Sequence, residues 1–296
     1  MVNVILGGAA IAWMGTAHQK KAILTKLRTG DYQLAFAMTE PDAGSDAASL
    51  KTGAEKRDGK FVINGEKIYT TGAYTADHIL VVAKSGAQDE RGRAMSVFLV
   101  SRDTDGLQVE PLEKLAGNIQ PSCRVVLNNV TVEESDVLGG TDGLGTAWGR
   151  LRLTGALERL MVAATCAGMA ERIVCEATAF SRERIQFGRR ICEFQSIQHM
   201  IVEMTTTKKL MRLLVRHATE AVESGREATT EVCMAKYYCS EQLQQLVTKG
   251  MRVFGGRAYF SDSPMSRLYR EAPLALYAGG TIEIQKNLIA RSLNLA

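Results

Sequence analysis

The sequence predicts an α+β protein in which a short helical segment precedes an all-β domain and then a bundle of four helices. Two changes of texture carry this reading. Between Gln33 and Val132 short apolar runs alternate with turn dipeptides, whereas beyond about Gly143 the turn signals thin out and long amphipathic stretches follow. Between them lies Gly139 to Gly145, where four of seven residues are glycine, so the β-to-α boundary belongs there.

The elements follow in order. Val2 to Met14 is apolar, lacks a basic lead-in and is too short to span a bilayer, so it reads as a buried helix. From Ile5 to Leu27 the spacing of Ile11, Met14, Ile23, Leu24 and Leu27 is helical, and Gly30 stands where a helix carboxyl end favours a left-handed residue. Because this segment opens in hydrophobic sequence without a cap, residues 1–32 are expected to be the remnant of a helical domain whose earlier helices are absent. Residues 33–140 form the β domain, with Phe61-Val62-Ile63, His78 to Lys84, Met95 to Ser101 and Arg124 to Val130 as strands. Asp58-Gly59, Asn64-Gly65 and Asp105-Gly106 are its turns. Residues 141–296 are helical, over Thr146 to Arg182, Gln195 to Ser224, Thr230 to Phe254 and Ile282 to Leu293.

Composition removes several function classes. The net charge is +4, with 36 basic residues spread among 32 acidic ones, so no global field draws the chain to nucleic acid or to a membrane surface. The six cysteines contain no CxxC pair, and Cys166, Cys175, Cys233 and Cys239 fall in apolar helical patterns where a thiol packs as a small hydrophobe. A reducing compartment follows, cytoplasmic or, in a eukaryote, the mitochondrial matrix. His18, His78, His199 and His217 are scattered without metal-ligand spacing, and no metal is expected.

Three separated segments carry chemistry. The first is Phe36-Ala-Met-Thr-Glu-Pro-Asp-Ala-Gly-Ser-Asp46 with Gly65-Glu-Lys-Ile-Tyr-Thr-Thr-Gly72. The second is Arg182 to Gln198, and the third is Val253-Phe-Gly-Gly-Arg-Ala-Tyr259 with Tyr277-Ala-Gly-Gly-Thr-Ile-Glu-Ile-Gln285. In this order and at this spacing the chain resembles the acyl-CoA dehydrogenase family from about Gly15 to Arg291. The resemblance implies that family's fold, a central β-barrel followed by a carboxyl-terminal four-helix bundle, with FAD as cofactor and an acyl-CoA thioester as substrate.

A flavin ring is a flat, partly apolar surface with polar atoms at one edge, and Met38, Thr39, Tyr69 and Thr71 supply matching types on β-strands. The resemblance sets the Thr71 hydroxyl near the hydride-accepting atom and Tyr69, where most members have Trp, against the ring. The alternative is that Tyr69, Thr70 and Thr71 are plain strand formers. Ser45 matches a position touching both cofactor and substrate. Arg184 beside Phe187 and Gly188 offers a bidentate phosphate binder with close backbone approach. By resemblance this loop serves the flavin of a neighbouring subunit, with Gln195, Arg252 and Gly256 at the same dinucleotide site. Arg189 and Arg190 read as a solvated face. Thr281 and Glu283 match a pair closing over the adenine side of the cofactor, against the plainer reading of Thr281 as a helix cap.

The reaction implied removes an α-proton to a carboxylate while hydride leaves the β-carbon. Most members place that Glu just before the Gly-Thr of the third segment, where this chain has Gly279. A minority, including isovaleryl-CoA dehydrogenase, place it in a Leu-Glu-Arg-Leu context, which Leu157-Glu158-Arg159-Leu160 reproduces. The base therefore falls to Glu158, whose plain alternative is a surface Glu paired along its helix. Burial is expected to raise its pKa toward neutrality. Arg159 matches a position near the CoA moiety, and the Gly279 backbone N–H retains an oxyanion role.

The leading expectation is α,β-dehydrogenation of a short or branched acyl-CoA, with electron-transfer flavoprotein as acceptor and a homotetrameric assembly. An enoyl-CoA reductase, an acyl-CoA oxidase, and a non-catalytic flavin-sharing subunit of a heteromer are the alternatives on this fold.

Overall fold

A computed structural model describes residues 2–86, 94–117 and 119–295. The chain forms two compact units, Met1–Leu157 and Glu158–Ala296.

The first unit begins with two helices where the apolar spacing reads as one run: α1 (Val2–Met14) and α2 (Ala17–Thr29). The break is chemical. Thr16 caps α2 by accepting from Gln19 N at 3.2 Å, while Gln19 Oε1 accepts from Thr16 N at 2.9 Å, a reciprocal capping box. The buried Gln19 amide then donates to Ser135 O at 2.9 Å and Val137 O at 2.8 Å, fixing α2 to a distant segment. Gly30 closes α2 in the left-handed conformation.

Seven strands follow: β1 (Leu34–Ala37), β2 (Gly53–Arg57), β3 (Lys60–Thr71), β4 (His78–Lys84), β5 (Met95–Ser101), β6 (Leu107–Leu112) and β7 (Ser122–Val132). They make one curled sheet in the order β1-β4-β2-β3-β7-β6, with β5 also on β4. β4 lies parallel to β1, Leu34 opposite His78, and antiparallel to β5, His78 opposite Ser101. Ile79, Leu80, Val81, Val82 and Ala83 are buried on both faces of the sheet, which explains an unbroken apolar run. Ile79, Val81, Phe98, Val100 and Val125 fill the interior of the curl, while Leu80, Val82 and Val97 join Ile11, Met14, Ile23 and Leu27 of the two helices.

Asn64-Gly65 does not form the turn expected of it. β3 runs through this dipeptide with a register shift between Ile63 and Gly65. A Cβ on Gly65 would meet Thr52 Oγ1 and stand 2.7 Å from Thr52 Cα, so the glycine serves close approach inside the sheet.

The second unit contains the rest of α3 (Ala147–Glu183), a small hairpin of β8 (Ile185–Gln186) and β9 (Arg189–Arg190), and helices α4 (Gln195–Glu223) and α5 (Thr229–Phe254). They are followed by α6 (Pro264–Glu271), α7 (Leu274–Tyr277) and α8 (Ile282–Ser292). The four long helices fall where their amphipathic periods put them. α5 is the central one, burying Val232, Cys239, Leu243 and Leu246 against Ala170 and Ile173 of α3 and Met204 and Met211 of α4. Gly250 admits the close crossing, since a Cβ there would stand 2.9 Å from Ile173 Cγ2 and 2.7 Å from Met265 Sδ. Cys166, Cys233 and Cys239 are buried as expected, but Cys175 is exposed, on the outer side of α3. No helix among the described residues is long and apolar enough to cross a membrane.

Candidate active site

In the helical unit the α7–α8 turn and the start of the Glu158–Glu183 part of α3 come together. Gly279 and Gly280 both take left-handed backbone, φ 69 and 86, a succession that glycine alone adopts without steric cost. The turn so formed sets Gly279 against α3: a Cβ on it would stand 3.6 Å from Cγ of Glu158 and 3.6 Å from Cγ of Arg159. Thr281 caps α8, accepting from Ile284 N at 3.3 Å, and Glu283 is exposed in the first turn. From α8 the buried Gln285 Nε2 donates to the carbonyls of Gly279 at 3.2 Å, Gly280 at 3.0 Å and Thr281 at 3.2 Å.

Glu158 is partly buried. Burial raises its carboxyl above the ordinary value of 4.5, opposed by the charges of Arg159 and Lys236. Two buried polar atoms here, Arg159 Nε and Gln285 Oε1, have no partner among the described residues. A donor and an acceptor thus stay unspent around the Gly279–Gly280 turn.

Sequence reasoning missed Lys236. On α5 it is completely buried, and its Nζ donates to Gly280 O at 2.7 Å and Leu276 O at 3.3 Å. Burial lowers its pKa to about 8, further depressed by Arg159 and opposed by Cys166, Glu158 and Glu283. A lysine in a helix ordinarily reads as solvated. The available signal was its register: Val232, Cys233, Cys239 and Ser240, three and four residues away on either side, are all buried.

In the β unit, Met38 and Thr39 lie just past the end of β1 rather than on a strand, because the chain turns there toward Glu40. Thr39 O accepts from Ile68 N at 2.9 Å, which brings this segment beside Tyr69. Tyr69 is not a plain strand residue. It sits at the second register shift of β3 with φ 59, and 66% of its surface is exposed. A left-handed aromatic residue is costly, and such strain clusters at active sites and ligand clamps. The neighbouring Thr70 Oγ1 is buried without a partner among the described residues, Thr71 Oγ1 pairs with Ser122 Oγ at 2.8 Å, and Ser45 is exposed. An exposed ring, hydroxyls and a fixed loop fit one face of a flavin.

A buried ion pair holds that loop. Lys67 Nζ lies 2.7 Å from Glu40 Oε1 and 3.1 Å from Met38 O. Glu40 also accepts from Thr52 N at 3.0 Å, Thr52 Oγ1 at 2.6 Å and Lys51 N at 2.6 Å. Burial pushes the Glu40 carboxyl up, but these donors outweigh it and hold it below its ordinary value.

The remaining residues sit at the far end of the helical unit. Arg184 opens the β8–β9 hairpin, whose tip is Phe187 at φ 53 with 94% of its surface exposed. Gln195 begins α4, while Arg252 and Gly256 stand at the end of α5. Phe180 stacks on Phe254 at 4.2 Å, so the ends of α3 and α5 are neighbours. Arg189 packs over the Phe194 ring at 4.0 Å and so is more than a solvated charge. Glu158 is not brought to this cluster: the helix from Glu158 to Glu183 spans roughly 37 Å. No group of side chains able to hold a metal occurs among the described residues.

With this geometry in hand, the chain matches two family models, the acyl-CoA dehydrogenase middle domain over residues 35–130 and the acyl-CoA dehydrogenase C-terminal domain over residues 148–294. It is 35% identical to the 3-(aryl)acrylate reductase of Clostridium sporogenes over 97% of this chain and 75% of that one. It is 36% identical to the mitochondrial short/branched chain specific acyl-CoA dehydrogenase of Rattus norvegicus, over 95% of this chain and 64% of that one. Among solved structures, an acyl-CoA dehydrogenase from Geobacillus kaustophilus matches with a TM-score of 0.94 at 33% identity, covering 97% of this chain and 76% of that one.

Proposed function

Since the chain belongs to the acyl-CoA dehydrogenase family, we propose that it catalyses FAD-dependent α,β-dehydrogenation of a short or branched acyl-CoA thioester, with Glu158 as the base. The observation that carries this reading is the approach of Glu158 to Gly279, the position where most of the family has its Glu. A carboxylate based on α3 serves the same point in space as one projecting from that turn. Burial makes it a stronger base than a solvated Glu, as abstraction of a weakly acidic carbon-bound proton requires. When bound, FAD supplies the acceptor for the hydride that leaves the β-carbon.

The protein's own groups have distinct tasks in this proposal. Glu158 takes the α-proton, and the Gly279 N–H donates to the thioester oxygen as charge develops there. Arg159 attracts the CoA phosphates. Tyr69, Thr71, Met38, Thr39 and Ser45 hold the flavin ring. Arg184, Phe187, Gln195, Arg252 and Gly256 bind the dinucleotide of a neighbouring subunit, while Thr281 and Glu283, directly after the Gly279–Gly280 turn, close over the adenine side of the cofactor at the Glu158 end. The separation of Glu158 from Arg184 along α3 supports sharing, because one cofactor cannot span it. A homotetramer passing electrons to an electron-transfer flavoprotein is the assembly proposed.

The likeness to a reductase favours a second reading, with the same groups running in reverse and protonated Glu158 delivering its proton to the α-carbon of an enoyl substrate. Anaerobic mixing of the FAD-loaded protein with short and branched acyl-CoAs tests the first reading. The flavin band near ~450 nm should bleach with the parent and not with Glu158→Gln. Bleaching by both proteins removes Glu158 from the role, and oxidation of the reduced protein by enoyl-CoA without bleaching by any acyl-CoA selects the reductase.

A further inference from the structure

We infer that Lys236 is a positioning residue for Glu158: it fastens the Gly279–Gly280 turn to α5 and sets the positive charge that the carboxylate faces. Both hydrogen bonds of Nζ go to neutral carbonyls, Gly280 O and Leu276 O, one within and one just before the turn. Gln285 holds the same turn from α8. Two donors from different helices therefore fix the turn in which a Cβ on Gly279 would stand 3.6 Å from Glu158 Cγ.

Pinning alone does not require a cation. Taking an ammonium out of water is costly, and two carbonyl acceptors repay only part of that cost. A neutral donor such as glutamine would hold a carbonyl without that cost. The charge acquires a purpose from its surroundings. Glu158, Arg159 and Cys166 face it from α3 and Glu283 from α8, and of these Glu158 is the partly buried carboxylate whose ionisation the cation favours. Arg159 works in the same direction on Glu158 and against Lys236, so the two cations share one field. The inference rests on Glu158 being the base, but its measurement does not.

The test follows the Glu158 carboxyl by carbon-13 NMR titration of the FAD-loaded protein without substrate, the signal being assigned by its loss in Glu158→Gln. Lys236→Met should move the Glu158 midpoint upward by about one pH unit, and Lys236→Arg should leave it within a few tenths. Exchange of the acyl-CoA α-proton with solvent should fall about tenfold in Lys236→Met at pH values below the new midpoint and recover above it, with KM little changed. Lys236→Gln, which keeps a donor for Gly280 O, replaces Lys236→Met if loss of the donor unfolds the chain. An unmoved Glu158 midpoint in a folded neutral variant overturns the inference, as does an activity loss equal at every pH. If Glu158→Gln retains exchange while Lys236→Met shifts the titration, the coupling stands and the base assignment fails.

Discussion

With its ammonium out of water, Lys236 has a pKa drawn from 10.5 down to about 8 by burial. Between those values the unfolded chain binds more protons than the folded one, so stability rises with pH across this window. The contribution is fully present above 10.5 and lost as pH falls through about 8. Urea unfolding at pH 8 and pH 10 should show the parent gaining about 2 kcal/mol relative to Lys236→Met, which lacks the titrating group. Equal pH slopes for the two proteins would contradict it. The comparison also shows what a sequence conceals. The nearness of Glu158 to Gly279 was legible because a glycine at one position and a carboxylate in a Leu-Glu-Arg-Leu context at the other pointed to the same place. Lys236 was not, because burial of a cation depends on helices far apart in the chain, and Tyr69 gave no sign of its left-handed backbone because β-branched and aromatic neighbours imply extended strand.

The Met38–Glu40 segment after β1 keeps its shape through one buried ion pair, and the two partners do not contribute symmetrically. Glu40 accepts four hydrogen bonds besides facing water hardly at all, so its removal strands the Lys67 ammonium with Met38 O as its remaining acceptor. Glu40→Ala should destabilise the protein by about 3–5 kcal/mol, while Glu40→Leu combined with Lys67→Met should cost less than the single change. Chemical denaturation of the three proteins reads this directly, and a double variant at least as destabilised as Glu40→Ala would show that the pair is not coupled. The Glu40 contribution is present above pH 4.5 and declines as pH falls through its lower folded value, so the parent should lose stability faster than the double variant in acid. At this scale the sequence was informative about length and position: β4 and β5 lie where their apolar runs end, and the four long helices match their periods. It misled where one local signal had two meanings. Asn64-Gly65 reads as a turn but marks a bulge packed on Thr52, and the continuous helical spacing through Gly15 hid a capping box that starts a second helix.

For the whole molecule, the decisive question is how many chains build one site. Arg184, Phe187, Gln195, Arg252 and Gly256 are all exposed and lie at the end of the helical unit that Glu158 does not occupy. Under the proposed sharing, a site takes its base from one chain and its phosphate-binding arginine from another, whereas a self-contained site takes both from the same chain. Complementation separates the two arrangements. Arg184→Ala should weaken FAD retention about tenfold to a hundredfold, the worth of a charge-assisted phosphate contact, and Glu158→Gln should bind FAD without turnover. Co-expressed, the two variants form hybrids in which a chain with intact Glu158 receives intact Arg184 from its neighbour, so activity should reappear. It should be absent from a mixture of separately purified variants that have not exchanged subunits. If co-expression restores nothing while hybrids are shown to form, each chain supplies its own arginine, and the separation along α3 must then be bridged by a fold of the cofactor that the helix geometry does not favour.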